Sequence, residues 1–262
     1  MQITTLCSSS SGNCALVSHE GEYILIDAGV SYRGMTQALG ALGITPRELS
    51  AVLITHAHSD HIGGLTTLTK RVSTEIIASA EACDGVQRHT CEERRVSPIE
   101  PDREFAVGSF TVRAFRTSHD SPGSVGYRIS AAGRTLSYCT DLGIVTQTVL
   151  DAVRECDTAV LESNHDVTML RRGQYPATLK RRILGDYGHL SNDACSRLAV
   201  TLAQSGTRRV ILAHISRENN TPTLALDTNV HALQLAGATV GDGGDIDVTD
   251  APQYGMSRTY TV

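Results

Sequence analysis

Between Thr55 and His61 the chain reads Thr-His-Ala-His-Ser-Asp-His, an H-x-H-x-D-H pattern that sets His56, His58, Asp60 and His61 within six residues. Imidazole nitrogens suit zinc, iron or manganese, and the added carboxylate hardens the donor set, so the cluster can supply two neighbouring metals rather than one. Histidines packed together without a metal would gain nothing to offset their lost solvation. The apolar run Ala51-Val52-Leu53-Ile54 just before them predicts a buried strand ending in a loop. The donors then sit at a strand's carboxyl end, and Gly63-Gly64 is expected to let the backbone turn sharply into the next helix.

This pattern resembles the metallo-β-lactamase superfamily, whose signature is the same loop. The remaining motifs follow in the order that resemblance implies. Tyr23-Ile24-Leu25-Ile26 leads into Asp27-Ala28-Gly29, where Asp27 is expected to support the metal loop from behind without binding the ion. His119, in Thr117-Ser118-His119-Asp120, would be the third histidine of the first metal, and Asp141, in Cys139-Thr140-Asp141-Leu142-Gly143, the carboxylate between both. His214 follows the apolar strand Val210-Ile211-Leu212-Ala213. His56, His58 and His119 are therefore expected to hold one ion, Asp60, His61 and His214 the other, with Asp141 bridging.

The implied fold is an α/β, four-layer αββα sandwich over residues 1–262 as a single domain: two mixed sheets face to face, helices on both outer faces, metals at one edge. The elements agree in outline. Strands are expected at 2–6, 14–18 and 23–27, with Ser8-Ser9-Ser10-Ser11-Gly12-Asn13 as an anion-holding loop between the first two. A helix from Ser31 to Gly43, one from His61 to about Arg71 and one from Ala80 to His89 alternate with strands at 51–54 and 75–78. From Arg103 to Thr140 the chain reads as consecutive strands with a tight turn at Ala131-Ala132-Gly133, after which helix and strand alternate to Leu235. The Gly/Asp-rich stretch 241–250 reads as a turn before a last strand near 257–262; its Asp242, Asp245 and Asp247 lack the spacing of a calcium loop.

Composition excludes less than the motifs include. With 262 residues and 40% hydrophobic positions the chain can bury a large core, built from aliphatic residues because Trp is absent and aromatics make up 4%. No basic-then-apolar leader opens the sequence and no run of about 18 apolar residues occurs, so a cytoplasmic protein is the expectation. Seven cysteines lack a paired framework and read as buried small residues; Cys139, two before Asp141, shares its side of the strand. The formal charge of -5 argues against coating nucleic acid by bulk electrostatics, yet basic residues cluster at Arg94-Arg95, Arg171-Arg172, Lys180-Arg181-Arg182 and Arg208-Arg209.

Glu162-Ser163-Asn164-His165-Asp166, Tyr175-Pro176, Gly188-His189-Leu190-Ser191-Asn192, His214 to Asn220 and Ser10 to Cys14 together look like the WalJ/YycJ branch of the superfamily, whose members are considered nucleases acting on DNA from a 5′ end. The resemblance implies a metal-dependent phosphodiesterase in which two divalent ions (Zn, Mn or Fe) hold a bridging hydroxide. Asp60 would orient that hydroxide. His189, between glycine and a helix start, would donate a proton to the leaving group. Ser11, Asn13, Asn164, His165, Ser191, Asn192, Ser216 and Asn219 are expected to contact substrate. Only about seventy residues separate Asp141 from His214, leaving no added nucleic-acid domain there, so Lys180 and Arg181, with their basic neighbours, must grip the strand. No aromatic stacking stripe is visible in the sequence to help them. Two other readings use the same motifs: a small-molecule hydrolase of the thioesterase, lactonase or lactamase type, which gives His189 and the basic helices no clear task, and a metal-binding regulatory module without catalysis, which would be free to lose ligands.

Overall fold

The computed structural model describes residues 1–91 and 96–262; Arg94 and Arg95 lie outside the described residues. The first half of the chain supplies β1 (Gln2–Ser9), β2 (Gly12–His19), β3 (Glu22–Ile26), α1 (Tyr32–Ala41), β4 (Leu49–Leu53), α2 (Ser59–Ile62) and α3 (Leu65–Arg71), then β5 (Glu75–Ser79), α4 (Cys83–Gln87) and β6 (Val96–Ile99). The second supplies β7 (Glu104–Val107), β8 (Phe110–Arg116), β9 (Val125–Ala131), β10 (Arg134–Cys139), α5 (Gln147–Val153) and β11 (Thr158–Glu162). It continues with α6 (Val167–Arg172), α7 (Ala177–Leu184), α8 (Asn192–Gln204), β12 (Arg209–Ala213), α9 (Pro222–Leu235), β13 (Asp247–Asp250) and β14 (Tyr260–Thr261).

These strands form two seven-stranded sheets, ordered β14-β1-β2-β3-β4-β5-β6 and β13-β12-β11-β10-β9-β8-β7. Each sheet is antiparallel on one side, through β14/β1/β2/β3 and β7/β8/β9/β10. Each is parallel on the other, through β3/β4/β5/β6 and β10/β11/β12/β13. The halves thus repeat a pairing pattern that leaves no trace as a repeated sequence.

The central strands are buried on both faces, which is why they read as unbroken apolar runs. Ile24 and Ile26 of β3, Leu53 of β4, Val112 of β8, Tyr127 of β9 and Ile211 of β12 meet in one core between the sheets. The alternate residues Leu25 and Val52 pack outward with Met35, Leu39, Leu65 and Leu68 of α1 and α3. On the far side Leu161, Val210 and Leu212 pack with Val149, Leu198 and Leu233 of α5, α8 and α9. Helix, sheet, sheet, helix is the layer order, as expected. No helix among the described residues is long and apolar enough to cross a membrane.

Several local expectations need correction. The Ser8–Asn13 stretch is a tight hairpin, not an open anion loop: Ser8 pairs with Asn13 and Ser9 with Gly12, leaving Ser10 and Ser11 as the turn. The helix expected from His61 to Arg71 is split into α2 and α3 at Gly63-Gly64, and neither glycine has a left-handed φ. Close approach is the reason for Gly64 instead, since a Cβ there would lie 2.0 Å from the Val30 carbonyl oxygen. Asp247–Asp250, read as part of a turn, is an edge strand parallel to β12, secured by Arg209 Nε donating to Asp247 Oδ2 at 3.0 Å. Strand β6 was not foreseen; its Pro98 suits an edge position. Cys139 is fully buried among Phe115, Leu142, Leu161 and Cys195, and burial pushes its thiol well up, which makes it core packing.

Candidate metal centre

Asp27 and every expected metal donor lie just beyond the carboxyl end of a strand: Asp27 after β3, His56 to His61 after β4, His119 after β8, Asp141 after β10 and His214 after β12. The second sheet clamps the metal loop of the first. Val125 N–H donates to the Thr55 carbonyl at 3.0 Å, and the Tyr127 hydroxyl to the Ile54 carbonyl at 2.7 Å. Asp27, Asp141 and His214 adopt φ values of 60°, 59° and 53°, a region that costs a residue with a Cβ about 1–2 kcal/mol and that clusters at functional sites.

Two groups of donors result. His56 Nε2 lies 3.1 Å from His58 Nδ1, which lies 3.3 Å from His119 Nε2. In the other group His61 Nε2 is 3.4 Å from both Asp60 Oδ2 and Asp141 Oδ2, and His214 Nε2 is 3.7 Å from Asp60 Oδ2. Asp141 stands between them, its Oδ1 3.9 Å from His119 Nε2. Tetrahedral coordination with bonds of 2.0–2.1 Å separates donor atoms by about 3.3 Å, so the spacing in both groups fits a divalent ion. Asp141 Oδ2 and His214 Nε2 are also buried without a hydrogen-bond partner, as donors awaiting an ion would be.

The histidines are aimed from behind. Asp27 Oδ2 takes His61 Nδ1–H at 2.7 Å, and Asp27 also accepts from the backbone N–H of Thr55 at 2.8 Å and from its hydroxyl. With its proton on Asp27, Thr55 Oγ1 accepts from His56 Nδ1–H at 3.0 Å. His119 Nδ1–H donates to the Gly188 carbonyl at 3.1 Å, and His214 Nδ1–H to Glu162 Oε1 at 2.7 Å. In these four rings the Nε2 edge is left to the cluster, the arrangement that fixes tautomer and orientation around a metal. Asp27 thus lies behind the loop, joined to His61 and Thr55.

The two groups differ electrically. Burial, followed by the neighbouring imidazoles, holds His56 well below the ordinary histidine value; burial also lowers His58 and His119. Burial opposes charge on His61 and His214 too, but Asp141 and the carboxylates Asp27, Asp60 and Glu162 outweigh it, raising His61 well above the ordinary value and His214 to about 10. Asp60 is driven the other way: the His214 and His61 imidazoles overcome its burial and hold it far below the usual carboxylate range.

Glu162, which the sequence offered only as part of a motif and without a role, stands behind two of the histidines. Its Oε1 is 2.9 Å from His189 Nδ1 as well as 2.7 Å from His214 Nδ1, while Oε2 accepts from the backbone N–H of Leu142 at 3.1 Å and of Leu190 at 2.9 Å. Despite full burial its carboxyl stays far below the usual range because His189 and His214 favour the anion. The available signal was an acid closing the wholly buried strand β11. Asp120 likewise had no role in the sequence reading: it pairs with Arg182, with Oδ1 3.8 Å from His58 Nε2.

The residues expected to contact substrate fall into different settings. Asn13 enters the cluster, its Nδ2 3.1 Å from His61 Nε2 and 3.3 Å from Asp60 Oδ2. Ser11 is exposed at the hairpin tip, bonded to Ser9. Asn164 Nδ2 donates to the His214 carbonyl, Asn192 interlocks with Ser163 and Asn220, and Ser191 caps α8. Ser216 Oγ accepts from Asn219 N–H, while the side chains of His165 and Asn219 are buried without partners. Lys180 is occupied by the carbonyls of Arg171 at 2.8 Å and Gly173 at 2.7 Å, and Arg181 is exposed.

Comparison with known proteins places this geometry. A family model described as "Beta-lactamase superfamily domain" matches residues 22–215. Exodeoxyribonuclease WalJ of Streptococcus pneumoniae serotype 2 (strain D39) is 33% identical over 249 residues, 94% of this chain and 92% of that protein. Exodeoxyribonuclease YycJ of Bacillus anthracis is 31% identical over 258 residues, covering 95% and 96%. Among solved structures, the metallo-β-lactamase fold protein YhfI from Bacillus subtilis aligns with a TM-score of 0.73 at 17% identity, over 98% of this chain and all of that one, a likeness of fold. With the H-x-H-x-D-H loop, His119, Asp141 and His214 gathered at one edge of an αββα sandwich, the chain belongs to the metallo-β-lactamase superfamily.

Proposed function

We propose that this metal-dependent hydrolase is a nuclease that holds two divalent ions and removes nucleotides from a 5′ end of DNA. The observation that carries the reading is the two donor groups, His56/His58/His119 and Asp60/His61/His214, with Asp141 3.9 Å from His119 and 3.4 Å from His61 and the Glu162–His189 pair beside them. His56, His58 and His119 would hold one ion and Asp60, His61 and His214 the other, with Asp141 available to both groups. When bound, such ions supply Lewis acidity toward a phosphoryl group and toward water. The 31–33% identity to two exodeoxyribonucleases over nearly the whole chain supports DNA as substrate. A core shared by strands of both sheets supports reading the 262 residues as one domain.

The chain's own residues divide the remaining work. Asp60, held ionised by His61 and His214, accepts a hydrogen bond from the attacking water and orients it. Glu162 anchors His189 through Nδ1, which leaves Nε2 to carry a proton toward the leaving oxygen. Arg182, at the rim beside Asp120 and His58, is placed to meet an incoming phosphate. A carbonyl substrate would leave the Glu162–His189 pair and the rim cations without a comparable task.

Digestion of DNA labelled at the 5′ or 3′ end, single- and double-stranded, with zinc, manganese or iron supplied in turn, tests the reading. Release of labelled nucleotide from the 5′ end first is expected. Turnover of a chromogenic ester or lactam with no cleavage of any strand would replace it with the small-molecule reading, and cleavage from the 3′ end would reverse the polarity.

A further inference from the structure

The segment between β13 and β14 carries Tyr254, a residue 73% exposed. The Arg217 guanidinium carbon lies 4.2 Å from its ring centroid. Arg217 Nη2 is fixed in turn by Ser9 Oγ at 3.1 Å and the Gln253 carbonyl at 3.3 Å. Gln253 Nε2 donates to the carbonyls of Ile215 at 3.0 Å and Ser216 at 3.3 Å, and Ser8 N–H donates to the Pro252 carbonyl. Ser8 Oγ accepts from the backbone N–H of His214 at 2.8 Å. Tyr254 is therefore tied through its neighbours to the backbone around His214. One side of the ring is backed by a cation, and most of it is left to solvent.

An exposed tyrosine on a free loop would say little. This one is braced, its brace runs to the backbone of the proposed donor His214, and its cation forms no ion pair with a carboxylate among the described residues. Arg217 follows His214 by three residues, a span of at most about 11 Å, so the platform lies within a few nucleotides of the donor cluster. A ring already held in place loses little freedom on binding, and a guanidinium behind it adds positive potential for a strand's phosphates.

We propose that Tyr254, braced by Arg217, is a stacking platform for a nucleobase of the strand whose phosphodiester lies at the donor cluster. The proposal rests on the nuclease reading and deepens it. The aromatic contact that appeared missing from the sequence is assembled from two segments that meet only in the fold. Stacking reads no base identity, so the platform holds strands of any sequence.

The test is fluorescence anisotropy with metal-loaded protein and 3′-labelled single-stranded DNA made with cleavage-resistant phosphorothioate linkages, beside the same strand made abasic throughout. Wild type should prefer the base-bearing strand. Tyr254→Ala should lose about tenfold in affinity for that strand and nothing for the abasic one, and Tyr254→Phe should bind as wild type. Equal affinity of Tyr254→Ala and wild type for the base-bearing strand would overturn the platform and leave the ring to a protein partner. Equal loss on both strands would overturn it in favour of a structural role. Hydrolysis of a small chromogenic phosphodiester by a wild-type protein that binds neither strand would instead remove the nucleic-acid reading, and the platform with it.

Discussion

His189 and His214 meet on one carboxylate oxygen, Glu162 Oε1, at 2.9 and 2.7 Å through their Nδ1 atoms. A proposed metal donor and a proposed proton donor are thus oriented by the same buried group. Glu162→Gln keeps the shape but not the charge, and should cost about 10- to 100-fold in metal affinity or turnover. His214→Ala should lose one equivalent of metal, whereas His189→Ala should retain both and lose rate mainly on poor leaving groups. Elemental analysis after dialysis, paired with turnover of phosphodiesters of graded leaving group, distinguishes them; loss of metal from His189→Ala alone would reverse the two assignments.

Asp60 contacts both His61 and His214 but has a partly open side chain, so its role can be separated from folding. Asp60→Asn should melt within a few degrees of wild type and lose hydrolysis by orders of magnitude. A variant that keeps more than about a tenth of the rate would show that the carboxylate does not orient the attacking water.

Lys180 and Arg181 are adjacent but unequal. Lys180 ties α7 to the carbonyls that end α6, so Lys180→Ala should destabilise the fold by about 1 kcal/mol in urea unfolding. Arg181→Ala should leave stability alone and reduce the slope of log affinity against log salt for single-stranded DNA by about 0.7. An unchanged slope would put the binding surface elsewhere.

His165 is buried without a partner, and burial lowers its pKa to about 4 from 6.5. Because the unfolded chain binds this proton more readily, stability is full above about pH 6.5 and falls as pH drops toward 4, by roughly 3 kcal/mol at most. Urea midpoints at pH 7.5 and 5.0 should therefore differ less in His165→Asn than in wild type. An equal difference in both proteins would assign the acid sensitivity to the other lowered histidines, His56, His58 and His119.

The parts of the site that were legible in sequence are those that are local. His56, His58, Asp60 and His61 are contiguous, and Asp27, Asp141 and His214 each announce themselves as a polar residue ending an apolar strand. Glu162 also ends such a strand, but its role depends on register: β11 lies between β10 and β12, so its end falls between Asp141 and His214. No spacing rule reports that. The pairings of Arg182 with Asp120 and of Arg217 with Tyr254 join segments far apart in the chain and exist only once the sheets are stacked. The hairpin at Ser8–Asn13 was misread because serine favours turns, while pairing along β1 and β2 outweighed that local preference.

The left-handed backbone at Asp27, Asp141 and His214 bounds how this centre can be re-engineered for another metal. Softening the donors at positions 141 or 214 with cysteine, or lengthening position 141 to glutamate, would put side chains that tolerate a positive φ less well than aspartate or histidine at a bend the fold already strains to hold. His56, His58 and His119 carry no such constraint. A library aimed at altered metal preference should vary those three first, leaving the residues at the left-handed bends as the fixed frame against which new ions are selected.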